Sequence, residues 1–215
     1  MAVVMKRTAE FLPLILPHCP QCPDFLAEQM ARFAAIQFCE RSRAWRHITT
    51  VDMVAPEGTP VAPDTAAIHE IEFAKWNGVK LTAVQFSTIE SGEQGRPEYI
   101  TQVAPNEVTI SPFEPGELEI SLFLKPLTAS EYGVNASDPL FDRFNVVPEF
   151  FIKIHGHTIA AGALAEILSI KDEPWTDHRE AARYRDQFEG RCDTAFRWNM
   201  RGQQRAPIRT KFRDF

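Results

Sequence analysis

The sequence predicts an α+β protein: a helical layer of one N-terminal and two C-terminal helices, with an antiparallel β-sheet or sandwich domain inserted between the first helix and the second. Three observations predict it. Apolar residues recur at helical spacing over residues 23–46, the period falls to two from 48 to about 130, and the helical period returns from 147 to 200. The chain then divides into an N-terminal helical part of the core (1–47), the inserted β domain (48–130), C-terminal helices that complete the core (131–200) and a basic arm (201–215).

Composition sets the outer limits. With 215 residues, 44% hydrophobic and 24% charged, the chain can build one sizeable core or two small ones, and wholesale disorder is excluded. The net charge of −6 argues against a general nucleic-acid binder, but the charge is split: the last fifteen residues, "RGQQRAPIRTKFRDF", carry five Arg/Lys against one Asp. That tail is +4, so the body before it is −10. No run of about eighteen apolar residues is present, which excludes a transmembrane helix, and no membrane partner is expected. In "MAVVMKRTAEF" the basic residues follow the short apolar run, and no small-residue cleavage pattern follows "LPLILP", so an intracellular product is expected. Four cysteines, at 19, 22, 39 and 192, are too few and too uneven for a disulfide scaffold.

Residues 23–46, "PDFLAEQMARFAAIQFCERSRAWR", lack internal Gly and Pro, and Pro23 sits where a first helical residue tolerates a missing N–H. Phe25, Leu26, Met30, Phe33, Ile36, Phe38 and Trp45, placed at about 100° per residue, cover over half the wheel and leave Glu28, Arg32 and Arg43 on the rest. So broad an apolar arc points to burial on two sides, either inside a bundle or between the chain's own domain and a neighbouring subunit; in the second case Phe25, Met30, Phe33, Ile36, Phe38 and Trp45 are the candidate subunit-packing residues. "IEF", "VKLTAVQF", "EYITQV", "EVTISPF" and "ELEISLFLKP" then alternate as strands joined by tight turns, of which Asn77-Gly78 is a hairpin signal and Glu114-Pro115-Gly116-Glu117 a second turn. Leu118, Ile120, Leu122 and Leu124 share one strand face, and "APEGTPVAPDTAA" reads as a loop. After the loop "TASEYGVNASDPLFDRFN", "VPEFFIKIHGHTIAAGALAEILSI" reads as a helix in which Gly162, among alanines, lets another backbone approach. "DEPW" stops it. Asp177-x-x-Glu180 starts the last helix, along which Tyr184, Phe188, Cys192, Ala195 and Phe196 repeat through to about Met200.

The stretch "PHCPQCPDF" raises the question of chemistry. A thioredoxin-like thiol-disulfide oxidoreductase also places CxxC between a strand and a helix, with the helix beginning at the first cysteine so that free N–H groups stabilise its thiolate. Here a helix from Cys19 needs an N–H from Pro23, which has none, and the βαβ continuation is missing. Zinc wants a second short-spaced pair, and Cys39 and Cys192 stand alone. His155 and His157 diverge by about 200° on a helix, so they do not chelate. Two structural thiols, no metal and no cofactor are expected. Glu70 and Glu72, or Glu117 and Glu119, could share a strand face as glycosidase carboxylates do, but alternating acids on a solvated face are the commoner outcome. Trp45, Trp76, Trp175 and Trp198 read as packing residues.

Three segments in order carry a resemblance: "LPLILPHCPQCPDFLAEQMARFAAIQFCERSRAWR", "NEVTISPFEPGELEISLFLKP" and "HTIAAGALAEILSIKDEPWTDHREAARYRDQFEGRCDTAF". Through Cys22-Pro23, Phe38-Cys39-Glu40, Trp45, Lys125-Pro126, Gly162-Ala163-Leu164, Pro174-Trp175, Tyr184 and Phe188, the chain resembles head-to-tail adaptor (connector, neck or collar) proteins of tailed bacteriophages. Cys19 departs from the pattern, where such sequences carry a small or aliphatic residue, and the tail beyond Met200 has no place in it. The resemblance implies a non-enzymatic virion protein of the neck, made in the host cytoplasm. It implies a homo-oligomeric ring of about twelve subunits between the portal and a tail or nozzle protein, with viral DNA passing through its lumen. An acidic body suits a channel through which DNA slides. Arg201, Arg205, Arg209, Lys211, Arg213 and Phe215 are the candidate portal-docking arm, since Arg binds carboxylates bidentately and Phe fills a pocket.

Overall fold

The computed structural model describes residues 3–88, 95–127 and 145–200. The protein is α+β and divides into two units, one of Met1–Glu10 with Trp45–Phe151 and one of Phe11–Ala44 with Ile152–Phe215. The first ten residues thus belong with the strands, because β1 (Met5–Arg7) pairs antiparallel with β9 (Val146–Pro148).

In the helical unit a short helical turn α1 (Leu12–Ile15) precedes α2 (Asp24–Ser42). Pro23 is the N-cap of α2 and not its first helical residue: its backbone is extended (φ −61, ψ 138) and its carbonyl accepts the N–H groups of Leu26 and Ala27. Asp24 places a negative charge against the N-terminal dipole. At the other end Arg43 turns left-handed (φ 53) and its N–H closes on the Cys39 carbonyl at 2.8 Å. The helix therefore stops four residues before the sequence reading ended it, and Trp45 lies beyond it.

The inward face of α2 is made of small side chains. Ala27, Ala31, Ala34, Ala35, Cys39 and Ser42 are buried, with Phe38 the one large residue among them. Arg32, expected on the solvated side, is 6% exposed. It lies within about 20° of Cys39 on the wheel, on the flank of that buried face. Small residues let helices approach closely. At Gly162 of α3 (Glu149–Ile167) an added Cβ would sit 3.0 Å from the Ala34 Cβ and 2.9 Å from the ring of Phe188 on α4 (His178–Met200). Ile159 to Ala165 of α3 are all buried, as a helix enclosed by neighbours requires.

The turn between α3 and α4 and the start of α4 follow the sequence signals. Asp177 Oδ1 accepts the N–H groups of Arg179 and Glu180, both at 3.0 Å, and the Asp177 N–H donates to the Leu168 carbonyl. Ala181, Phe188 and Cys192 form the buried stripe of α4. Its polar side holds α2 through Arg41, which meets Asp193 at 3.3 Å and Glu189 at 3.6 Å, and through Asn199, whose Nδ2 donates to the Ser42 carbonyl at 2.8 Å. Trp198, expected to pack, is 46% exposed. No helix among the described residues is long and apolar enough to cross a membrane.

The strand unit is built on one seven-stranded sheet in the order β2-β8-β4-β5-β6-β7-β3. Its strands are β2 (Arg46–Met53), β3 (Thr59–Pro60), β4 (Ala66–Trp76), β5 (Val79–Ala83), β6 (Tyr99–Ala104), β7 (Glu107–Ser111) and β8 (Gly116–Pro126). The sheet is antiparallel except at β5–β6, which run parallel with Thr82 opposite Tyr99. A parallel pair needs a long crossover, and residues 84–98 supply it. Asn77 (φ 45) and Gly78 (φ 82) make the tight β4–β5 hairpin that the sequence signals. Glu114–Glu117 does not join neighbouring strands, because β7 and β8 are not paired; Gly116 instead opens β8, where a Cβ would strike the Trp76 indole at 2.6 Å. Leu118, Ile120, Leu122 and Leu124 share a fully buried face of β8. Asn106 (φ 64), in the β6–β7 turn, locks β4 in place: its Nδ2 donates to the Ala66 carbonyl at 2.6 Å and its Oδ1 accepts the Ile68 N–H at 3.0 Å.

Candidate functional site

The two cysteines of "PHCPQCPDF" lie in successive turns ahead of α2. The Cys19 N–H bonds the Leu16 carbonyl at 3.2 Å and the Cys22 N–H bonds the Cys19 carbonyl at 2.9 Å. Both are free, with 1% and 4% of their surface exposed. The Cys19 thiol points back toward the Ile15 carbonyl, 3.4 Å away, so it receives nothing from the N-terminal amides of α2. Burial, reinforced by the neighbouring Cys22, pushes the Cys19 thiol up to about 12, and burial raises Cys22 as well. A thiol held this high stays protonated at neutral pH, and the thiolate is the nucleophilic form.

An open cleft of about 410 Å³ lies beside the pair, walled by His18, Trp175, Asp177, Glu180 and Tyr184. The Tyr184 hydroxyl and His18 Nδ1 are 3.2 Å apart across it, with the rings edge to face. Its carboxylates are already occupied: Asp177 caps α4, and Glu180 Oε2 accepts from Arg183 at 2.6 and 2.9 Å. Among the described residues no group of three or more His, Cys, Asp or Glu side chains is placed to hold a metal ion. His155 is half-buried against Phe38, ring centroids 4.6 Å apart, and burial lowers its pKa, while His157 is exposed. Cys39 and Cys192 are buried in the helical unit. Two of the strand-face carboxylates are used in cross-strand pairs: Glu72 meets Arg46 at 2.7 Å and Ser121 at 2.7 Å, and Glu119 meets Lys75 at 3.0 Å.

This chemistry gives a clear expectation for the thiols. With its pKa raised by burial, native Cys19 at pH 8 should react with an aromatic disulfide reagent at least about a hundred-fold more slowly than in urea. The same shift has a sign for stability. A thiol whose folded pKa lies above its unfolded value of 9.0 stabilises the fold fully below that value, and the contribution is lost as pH rises from 9.0 toward about 12. Rapid native labelling of Cys19, mapped by mass spectrometry, would favour the oxidoreductase reading.

The candidate packing residues on α2 separate into two sets. Phe25 is 73% exposed and Phe33 37%, with Leu26, Met30 and Ile36 half-buried beside them. These five fall within an arc of about 140° on the wheel, opposite the alanine face. Phe38 and Trp45 are 0% and 2% exposed, so they are corrected from candidate subunit contacts to core residues. Trp45 packs edge to face on Phe151 at 6.0 Å in the strand unit. The candidate arm, Arg201, Arg205, Arg209, Lys211, Arg213 and Phe215, lies outside the described residues. Sequence reasoning missed the open edge strand β2, whose apolar residues Ile48, Val51 and Met53 do not keep a period of two. A scan against protein-family models finds no match to the chain, and a search of curated proteins finds none either.

Proposed function

We propose that the chain is a structural subunit of a bacteriophage neck: a head-to-tail adaptor that forms a ring under the portal and passes DNA into the tail. The observation that carries the reading is the double-sided apolar character of α2. Its alanine face is buried by the chain's own helices, and Phe25 and Phe33 remain exposed on the opposite side. A ring closed by head-to-tail contacts must bury surface on two different sides of every subunit, and such a stripe supplies one of them. The three ordered sequence segments support the same reading. The acidic body favours DNA sliding over adhesion, and the +4 tail supplies cationic and aromatic groups for an acidic portal surface.

Electron micrographs of the purified chain, or of necks assembled with it, are expected to contain rings of about twelve subunits. Removing residues 201–215 should abolish retention on the portal and leave the circular-dichroism spectrum unchanged. Rings that bind the portal equally well without the tail would remove the arm from the mechanism, and a compact monomer under all conditions would remove the ring.

A further inference from the structure

The two edges of the seven-stranded sheet are unlike. One ends in β3, two residues long and containing Pro60, which blunts it as natural sheets require. The other ends in β2, eight residues from Arg46 to Met53 without proline, glycine or bulge, paired to β8 along its whole length. The phase of that pairing can be read. Leu124 donates its N–H to the Trp45 carbonyl at 2.8 Å, which makes Trp45–Leu124 a hydrogen-bonded pair in the register that continues Arg46–Phe123. Antiparallel ladders alternate, so His47, Thr49, Val51 and Met53 turn their backbone groups toward β8, and Arg46, Ile48, Thr50 and Asp52 turn theirs outward. Among the described residues, no backbone hydrogen bond from those four closes on the open side.

We propose that this edge pairs with β2 of a second copy of the chain, antiparallel about a two-fold axis through Thr49. A two-fold axis normal to the sheet opposes residues of the same face, so the facing numbers sum to an even value. With Thr49 on the axis, Arg46 faces Asp52 and Ile48 faces Thr50, and all four outward-turned residues of both strands become hydrogen-bonded pairs. Shifting the axis to Thr50 loses one such pair and sets Ile48 against the Asp52 carboxylate. The Thr49-centred register brings opposite charges together twice, the favourable cross-strand arrangement. Asp52 is exposed and makes no ion pair among the described residues, whereas Arg46 already holds Glu72 and stacks over Phe123 at 5.3 Å, which fixes its orientation at the edge. Ile48, 59% exposed, is covered by the partner strand. The contact does not rest on the ring: a ring closed through other surfaces leaves β2 free, and the pairing then joins two rings in place of two single chains.

The test uses the full-length chain. Sedimentation equilibrium is expected to give a dimer, or an assembly of twice the ring mass, and the amides of Ile48, Thr50 and Asp52 should exchange hydrogen slowly. Thr50→Pro removes an outward N–H and no bond to β8, and should weaken the two-fold contact at least about ten-fold. Ile48→Lys keeps every backbone donor and should weaken it too, which separates loss of pairing from misfolding. A monomer or single ring with fast exchange at these amides would overturn the proposal. So would an assembly whose mass is unchanged by both substitutions.

Discussion

Gly162→Val is expected to cost about 3 kcal/mol of stability, read as a shift in the urea midpoint at unchanged slope. A Cβ at this position meets Phe188 ring carbons at 2.9 Å, closer than real Cβ contacts come, and the Ala34 Cβ at 3.0 Å, tighter than almost all of them. Neither neighbour can retreat freely: Phe188 is 4% exposed and Ala34 2%, so both are held in the centre of the helical unit. Valine adds two further methyl carbons to that junction, and the modest gain in helix propensity over glycine does not offset them. Alanine at the same site should cost about 1–2 kcal/mol, a clash partly offset by propensity. Gly190, exposed on α4, is the internal control. A Cβ there meets nothing within 4 Å, so Gly190→Ala should stabilise by about 0.5–1 kcal/mol. Two glycines of one helical unit would then respond with opposite signs. Equal responses would mean that the close approach of α2, α3 and α4 at Gly162 is not a feature of the folded protein.

The signals readable in the sequence are those with local physical causes. The Asn77-Gly78 hairpin needs two positive φ angles, and the Asp177 cap needs an acceptor two and three residues ahead of free amides; both are written in adjacent residues. Strand direction is not local. The period-two alternation of β5 and β6 is the same whether they run parallel or antiparallel, and only the crossover over 84–98 decides. β2 was illegible as an edge for a related reason: whether a strand has one neighbour or two depends on where β8 is placed, some seventy residues later. On α2 the usual rule inverted. Large apolar residues mark a core when they have a pocket to fill, but close helix approach fills the inside with alanines and leaves Phe25 and Phe33 outward. The cysteine pair reads as structural thiols because Pro23 lacks an N–H and no βαβ continuation follows, and both thiols are free and buried in the structure. The structure places the helix start one residue later still and adds the burial that raises the Cys19 thiol.

The outward stripe of α2 carries the second large prediction. Replacing Phe25 and Phe33 together by aspartate is expected to abolish ring assembly and to leave the subunit folded. Phe25 stands largely in solvent at 73% exposure and Phe33 is 37% exposed, so the loss of Phe25 changes stability by about 0.5 kcal/mol or less and that of Phe33 by about 1 kcal/mol, too little to unfold the subunit. In a ring the same side chains would be buried at every contact. Truncating a buried aromatic anchor costs about 2 kcal/mol or more per interface, roughly thirty-fold in each contact's affinity, and a carboxylate in its place adds desolvation. Because a closed ring needs every contact at once, that loss repeats around the circumference and the assembly threshold rises beyond reach. Phe38→Asp, on the opposite face of the same helix and fully buried, should instead unfold the helical unit. The paired outcome, folded monomers from the outward substitutions and unfolded protein from the inward one, separates a subunit contact from a core position. Rings that persist with aspartate at both outward sites would show that α2 does not join the subunits.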